Sequence, residues 1–117
     1  MKEYLYIFRG GDAARIDQQK DPAAWAQHMG KWKTWMESLA QKGQFSGGQP
    51  LAPEGKVLTG KAKKLTDGPF VEAKEIVGGY LLVKANDLND ATEIAKGCPL
   101  FEHDGIVEIR EINQLAM

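Results

Sequence analysis

The hydrophobic residues of the first segment alternate in the way that predicts a β-strand. Residues 3–9 (EYLYIFR) are rich in aromatic and β-branched types. Tyr4, Tyr6 and Phe8 would lie on one face of this strand, and Leu5 and Ile7 on the other. A strand that is apolar on both faces is expected to be covered on both faces.

In the next part of the chain the hydrophobic residues recur with a longer period, which predicts a helix. Asp21 is a suitable N-cap, Pro22 suits the first helical position, and Gly43 is the expected C-terminal stop. Between these signals the apolar residues recur at steps of four and three positions, which marks one face of a helix. The residues of this stripe are Trp25, Met29, Trp32, Met36 and Leu39, with Trp35 widening it.

The rest of the chain alternates between strand and helix signals. Glycines and prolines divide residues 44–66 into short runs, which predicts short strands joined by turns. Residues 75–85 form a longer strand, in which Gly78-Gly79 indicates a bulge or a close backbone approach. Asn86-Asp87 caps a second helix that stops near Gly97, and residues 105–112 form the last strand.

This order of elements predicts a ferredoxin-like α+β fold, βαββαβ with an extra central hairpin, as a single domain over residues 1–117. Its antiparallel sheet would be covered on one face by two helices. We expect the other face to carry Tyr4, Tyr6 and Phe8, together with Ile76, Tyr80 and Leu82. An apolar face of that size is rarely left exposed, so the pattern predicts a homodimer that packs sheet against sheet.

Composition and charge narrow the classes of partner. The net charge is -1, and the short cluster Lys61-Ala62-Lys63-Lys64 is more typical of a solvated hairpin edge than of a nucleic-acid surface. No apolar run approaches the length of a membrane span, and the N-terminus resembles a strand more than a signal peptide. With a single cysteine, Cys98, these features favour a cytoplasmic protein without direct contact to nucleic acid or membrane.

Few residues suggest chemistry. Two histidines far apart and one cysteine form no metal-ligand pattern, and no glycine pattern suits a nucleotide, so we expect neither a metal nor an organic cofactor. Asp67-Gly68-Pro69-Phe70 has the composition of a turn, and the acidic residues that follow it leave open a site of paired carboxylates. His28 and His103 could each act as a base near neutral pH, or be satisfied by neighbouring groups.

The segment Thr66-Asp67-Gly68-Pro69-Phe70-Val71-Glu72-Ala73-Lys74-Glu75, with Gly78-Gly79-Tyr80 after it, resembles the signature of DGPF-domain proteins of the YCII-related family. The later Cys98-Pro99 and Glu102-His103-Asp104-Gly105 resemble that family's C-terminal segment. The resemblance implies a ferredoxin-like fold that dimerises through its sheets, as in dimeric α+β barrels. It also implies a cleft between sheet and helices near the DGPF turn, and, for some members, a link to extracytoplasmic-function sigma factors.

Together, the residues and the resemblance predict a site with Asp67, Glu75 and His28 as catalytic groups. The ligand would be a small molecule, and the residues expected to bind it are Phe70, Tyr80, Trp32 and Arg110. The helix histidine of the family's His–Asp pair would fall near Lys31 or Trp32 in this chain, so His28 is expected to be at most an accessory group.

The sequence is compatible with three candidate functions. The first is a small-molecule enzyme or binding protein without a cofactor, and the second is a non-catalytic regulatory dimer linked to a sigma factor. The third, cofactor-free monooxygenation, rests on analogy of architecture. An enzyme should show a concave pocket with convergent polar groups, whereas an interaction protein should show an exposed apolar patch beyond its dimer face.

Overall fold

The fold was analysed in a computed structural model, which describes residues 1–10, 20–52, 54–68 and 76–115. In chain order its elements are β1 (Lys2–Arg9), α1 (Pro22–Gln41), β2 (Phe45–Pro50), β3 (Gly55–Thr59), β4 (Lys64–Gly68), β5 (Val77–Ala85), α2 (Leu88–Ala95), a 3-10 helix (Pro99–His103) and β6 (Ile106–Glu111). The sequence-based boundaries of the first strand, both helices and the last strand agree with these to within a few residues.

Four strands form one antiparallel sheet in the order β2-β5-β1-β6. With α1 between β1 and β2, and α2 between β5 and β6, this is the strand order of a ferredoxin-like α+β domain. Among the described residues, strands β3 and β4 pair only with each other, in a separate two-stranded sheet inserted between β2 and β5. The predicted fold with its extra central hairpin is therefore confirmed.

Local sequence signals explain the helix ends. The Asp21 carboxylate accepts a hydrogen bond from the backbone N–H of Ala24 at 3.1 Å, and Pro22 occupies the first turn of α1. The Asp87 carboxylate accepts one from Asp90 N–H at 2.8 Å in the same way at the start of α2. Gly43, just beyond α1, has a φ of +71°, which glycine adopts without strain.

The glycine pair in β5 also behaves as predicted. Phe8 pairs with Gly79 and Arg9 with Val77, so the register of β1 against β5 shifts by one residue at Gly78. A Cβ atom at Gly79 would lie only 3.0 Å from the backbone oxygen of Gln49 in the neighbouring strand. Both expected features, a bulge and a close backbone approach, are present.

The core lies between the sheet and the two helices, and this corrects the expected facing of β1. Tyr4 and Tyr6 are completely buried, and Phe8 nearly so. The Tyr6 ring stacks on Trp35 of α1, with ring centroids 6.4 Å apart, and Phe8 meets the edge of Trp32 at 5.1 Å. The sequence predicted that Tyr4, Tyr6 and Phe8 lie on the face without helices. This prediction is wrong, because the helices pack on these three rings.

The opposite face of the sheet, called here the open face, carries Leu5 and Ile7 of β1 with Leu82 and Tyr80 of β5. Leu5 pairs with Leu82 and Ile7 with Tyr80 in the register of the two strands, and all four side chains are partly buried. No helix among the described residues has its buried side chains on this face. Ile76 precedes β5 and belongs to neither row.

The stripe of α1 is also rotated relative to its expected position. The side chains of α1 that are buried are His28, Trp35 and Leu39, while Met29 is 43% exposed. The polar His28 thus takes a place that the hydrophobic pattern gave to its neighbour Met29.

Candidate functional site

Two imidazole rings meet where α1 passes the 3-10 helix. The rings of His28 and His103 are 4.3 Å apart between centroids, in an edge-to-face arrangement at 85°. His28 is 8% exposed, whereas His103 is partly exposed and forms the outer member of the pair. With Glu102 and Lys31 these histidines form the group called here the imidazole cluster.

The segment Cys98–Gly105 folds so that Glu102 and His103 face α1. Pro99 opens the 3-10 helix, and the buried side chains of Pro99 and Leu100 fix it to the core. Asp104 ends the helix in the left-handed conformation, with a φ of 58°. Gly105 follows, and a Cβ atom there would lie 2.2 Å from Cγ of Leu100, so any larger residue would require the buried Leu100 side chain to shift.

Both nitrogens of His28 have partners. The indole N–H of Trp32 donates to Nε2 of His28 at 3.1 Å, one helical turn further along α1. An imidazole nitrogen that accepts a hydrogen bond is unprotonated, so the ring proton of neutral His28 lies on Nδ1. Nδ1 is 3.6 Å from Oε2 of Glu102, and the ring therefore points its N–H toward a carboxylate.

Burial is the main reason that the pKa of His28 lies below the ordinary imidazole value, and His103 adds to this by repulsion. Glu102 acts in the opposite direction but does not compensate. His28 is therefore neutral at neutral pH.

Glu102 is an ionised partner for this histidine. Lys31 Nζ donates to its Oε1 at 2.7 Å, and this hydrogen bond is the main reason that the Glu102 pKa is lowered. The side chains of Lys31 and Glu102 are about half exposed, so the pair lies at the mouth of the cluster. A carboxylate beside a neutral imidazole can stabilise the imidazolium that forms during proton transfer.

Aromatic rings surround the cluster on the core side. Trp25 lies 6.2 Å from His28 between ring centroids, and Trp32 lies 5.8 Å from Trp35. These rings shield His28 from water. Within one protomer a ligand would therefore meet His103, Glu102 and Lys31 before it met His28.

The predicted site residues that the structure describes do not lie together in one protomer. Asp67 lies in β4 opposite Lys56, with which it forms an ion pair, and its side chain is 79% exposed. Asp67 and Gly68 are therefore strand residues, not turn residues as predicted. Glu75 and Phe70 lie outside the described residues, so their roles stay predictions.

The remaining predicted ligand-binding residues fall on two sides of the sheet. Trp32 packs with His28 on the helix side. Tyr80 lies on the open face, and Arg110 pairs with Leu5 of that face in the β1–β6 register. One protomer therefore does not form a single cleft from Trp32, Tyr80 and Arg110.

Sequence reasoning missed the contact between the two histidines and the part played by Glu102. His28 and His103 were each considered alone, because 75 positions separate them and no sequence pattern links them. The one available signal was that the position expected for the family's helix histidine, near Lys31 or Trp32, falls on the two α1 residues that contact Glu102 and His28.

The described part of the chain shows neither a metal site nor a helix that could span a membrane. No group of three or more histidine, cysteine, aspartate or glutamate side chains has the geometry of a metal site there. None of the helices in those same ranges is both long and apolar enough to cross a membrane.

A shallow depression of about 290 Å³ lies between α1 and β2, lined mainly by Met36, Ala40 and Phe45.

Comparison with known proteins identifies a matching protein family. The family model of the YCII-related domain matches residues 12–116 of the chain. No curated protein matches the sequence. Among solved structures, 5-chloro-2-hydroxyhydroquinone dehydrochlorinase from Burkholderia phenoliruptrix AC1100, in complex with 2,5-dihydroxybenzoquinone, is similar at a TM-score of 0.45 and 17% identity, over 92% of this chain and 91% of that chain.

Proposed function

The chain belongs to the YCII-related domain family, and on that premise we propose that it is a cofactor-independent, enzyme-like homodimer that binds a small molecule at the imidazole cluster. The observation that carries this proposal is the contact of two imidazoles, 4.3 Å apart, backed by a carboxylate that is itself ion-paired to Lys31. Perturbed ionisable groups in mutual contact are concentrated at functional sites.

The groups of the cluster differ in what they can do. His103 is the outer imidazole and is the group placed to exchange a proton with a ligand. His28 has both nitrogens engaged, by Trp32 and Glu102, and acts as a positioning residue that holds His103 and the carboxylate in place. This agrees with the expectation that His28 is an accessory group. Lys31 supplies a positive charge for an anionic or polarised part of the ligand.

A ligand screen by thermal stabilisation tests this proposal. A ligand at a hundred times its Kd stabilises the folded chain by about 2.7 kcal/mol, which raises the Tm of a domain of this size by about 10 °C. We expect His103→Asn to abolish the ligand-induced rise while leaving the Tm of the unliganded protein nearly unchanged. The matched control is Lys96→Gln, which removes an exposed charge just beyond the end of α2, outside the cluster, and should leave the rise intact. A ligand that stabilises His103→Asn as strongly as the parent protein would contradict the proposal.

The homodimer is proposed to form through the open face. The supporting observation is its apolar row of Leu5, Ile7, Leu82 and Tyr80, which lies on the side of the sheet opposite the core. The open face thus takes the role that the sequence analysis gave to the face of Tyr4. Sedimentation equilibrium at micromolar concentration should give twice the mass of one chain, and a monomer would refute the assembly.

A second candidate function is a regulatory protein that binds a sigma factor of the extracytoplasmic-function class. It is favoured by one observation, the exposed Leu58 and Leu65 of the β3–β4 hairpin, which form an apolar patch outside the four-stranded sheet. Titration of a fluorescently labelled sigma factor of that class with the protein should then give saturable binding. If the sigma factor still binds the double variant Leu58→Ser/Leu65→Ser, the hairpin leucines are not its binding surface. A cytoplasmic location, which this function requires, stays a prediction.

A further inference from the structure

The β3–β4 hairpin, residues 55–68, is called here the hairpin arm. It forms a two-stranded sheet of its own, apart from the four-stranded sheet. Leu58 and Leu65 are direct cross-strand partners and therefore lie on the same face of the arm. They are 67% and 58% exposed, so this pair leaves a large apolar surface in water.

Within the described part of one protomer the hairpin arm has little stabilising contact. A two-stranded hairpin is marginally stable in water unless a further layer packs on it. The radius of gyration of the chain is 15.9 Å, whereas a compact domain of this length has about 13 Å. The chain is thus less compact than a typical domain of its length, and the leucine pair lies outside its four-stranded sheet.

The arm and the rest of the chain have opposite charge. Residues 55–68 contain four lysines and one aspartate, which gives the arm a net charge of +3. Because the whole chain carries -1, the remainder carries -4. The opposite net charges favour approach of the arm of one copy to the body of a second copy.

The size of the open face leaves room for further contacts in a dimer. Its four strands have six to nine residues each. Strands about 4.8 Å apart, with a rise of about 3.4 Å per residue, give a face with a planar footprint of about 450 Å². The exposed leucine pair of the arm is an apolar surface outside this footprint that can add contact area to the same dimer.

We propose that the hairpin arm packs on the second protomer of the homodimer, with Leu58 and Leu65 against the partner's surface. In a symmetric dimer each arm would then contact the other protomer. These two contacts would add to the contact between the open faces. This inference rests on the homodimer proposed above.

The experiment compares the dimer dissociation constants of three proteins by sedimentation equilibrium. The arm variant is Leu58→Ser/Leu65→Ser, and the control is Leu88→Ser/Leu115→Ser, which removes two leucines of similar exposure outside the arm. Four leucines leave the interface of each arm-variant dimer, so we expect its Kd to rise by about a hundredfold or more. The control should stay within about threefold of the parent protein. Near-ultraviolet circular dichroism of the tryptophans checks that both variants keep the fold.

A second measurement uses the native protein. Light and ¹⁵N-labelled chains are mixed and treated with a lysine-reactive cross-linker. Cross-links of Lys61, Lys63 or Lys64 that join one light and one labelled peptide would show the arm on the partner.

The outcomes separate the two proposals. A parent protein that is monomeric overturns both the homodimer and the arm. A parent dimer whose Kd is the same in the arm variant, with arm cross-links confined to single chains, overturns the arm alone. An arm variant that keeps the parent Kd but loses binding to a sigma factor assigns the leucines to a different protein and also overturns the inference.

Discussion

The two faces of β1 carry similar hydrophobic residues but meet different surroundings. Tyr4 and Tyr6 are completely buried beneath the helices, while Leu5 and Ile7, between and beside them in the same strand, are only partly buried. The difference lies in the layer above each face. Apolar alternation thus shows that a surface needs cover, and the order of elements around the sheet decides whether the chain itself supplies that cover.

Polar groups differ between the faces in the same way. On the helix side the hydroxyl of Tyr6 donates to the backbone oxygen of Ala91, which joins the sheet to α2. On the open face Glu108 accepts from Arg9 at 2.6 Å and from Arg110 at 3.2 Å, beside the apolar row. A charged border around an apolar centre is the usual anatomy of a protein–protein interface.

The largest effect should come from removing a ring on the helix side. Tyr6→Ala deletes the stack on Trp35 and the hydrogen bond to Ala91, and leaves a cavity in the core. We expect the free energy of unfolding to fall by about 3–5 kcal/mol in urea titrations. Leu5→Ala, the matched change on the open face, should cost about 1 kcal/mol when both variants are measured at a concentration at which the protein is monomeric. Equal losses would show that the two faces do not differ as described.

A charge on the open face should act on assembly instead of folding. Ile7→Glu places a carboxylate in the apolar row, opposite Glu108 in the β1–β6 register. We expect the dimer Kd to rise by at least a hundredfold, because the carboxylate would be desolvated and next to a like charge. Sedimentation equilibrium measures the change, and Ile7→Val is the conservative control. A dimer that tolerates Ile7→Glu would have to use another surface.

The imidazole cluster should make stability depend on pH in one direction. The pKa of His28 is lowered in the folded chain, so the unfolded chain binds more protons as the pH falls below the ordinary value of 6.5. The stabilisation is complete above that pH and is lost as the pH falls toward the folded pKa. Between pH 7.5 and 5 we expect a slope of at most about 1.4 kcal/mol per pH unit.

His28→Gln tests whether this slope belongs to His28. The substitution should flatten the slope in the same pH range, measured by urea titration at each pH. Glu102, whose pKa is also lowered, contributes in the same direction but only at pH values below the ordinary glutamate value of 4.5. An unchanged slope in His28→Gln would assign the effect to other groups.

The smallest effect is expected at Asp67. Its ion pair with Lys56 is exposed, so Asp67→Asn should change the free energy of unfolding by less than about 0.5 kcal/mol. This makes the variant a clean test of the predicted functional role of Asp67. If Asp67 binds the ligand, Asp67→Asn loses the ligand-induced rise in Tm without losing stability. If the rise is kept, the residue serves only the hairpin.

Much of the fold could be predicted because its signals are local. Asp21 with Pro22, and Asp87, start the helices through contacts within one turn, and the Gly78-Gly79 pair produces its bulge from its own backbone freedom. The element order then allows few topologies, since sequential elements pack as neighbours. The sequence by itself therefore determined both helices, the longer strands, their order and the ferredoxin-like fold.

Tertiary structure alone decided the facing of β1 and the composition of the candidate site. A period of two places Tyr4, Tyr6 and Phe8 on a common face but does not say on which side the helices pack, because Leu5 and Ile7 are equally apolar. Likewise, no local signal brings His103 to His28, since their contact depends on how α1 and the 3-10 helix cross after folding. Packing settles such choices because it depends on the shapes of whole surfaces, which distant segments build together.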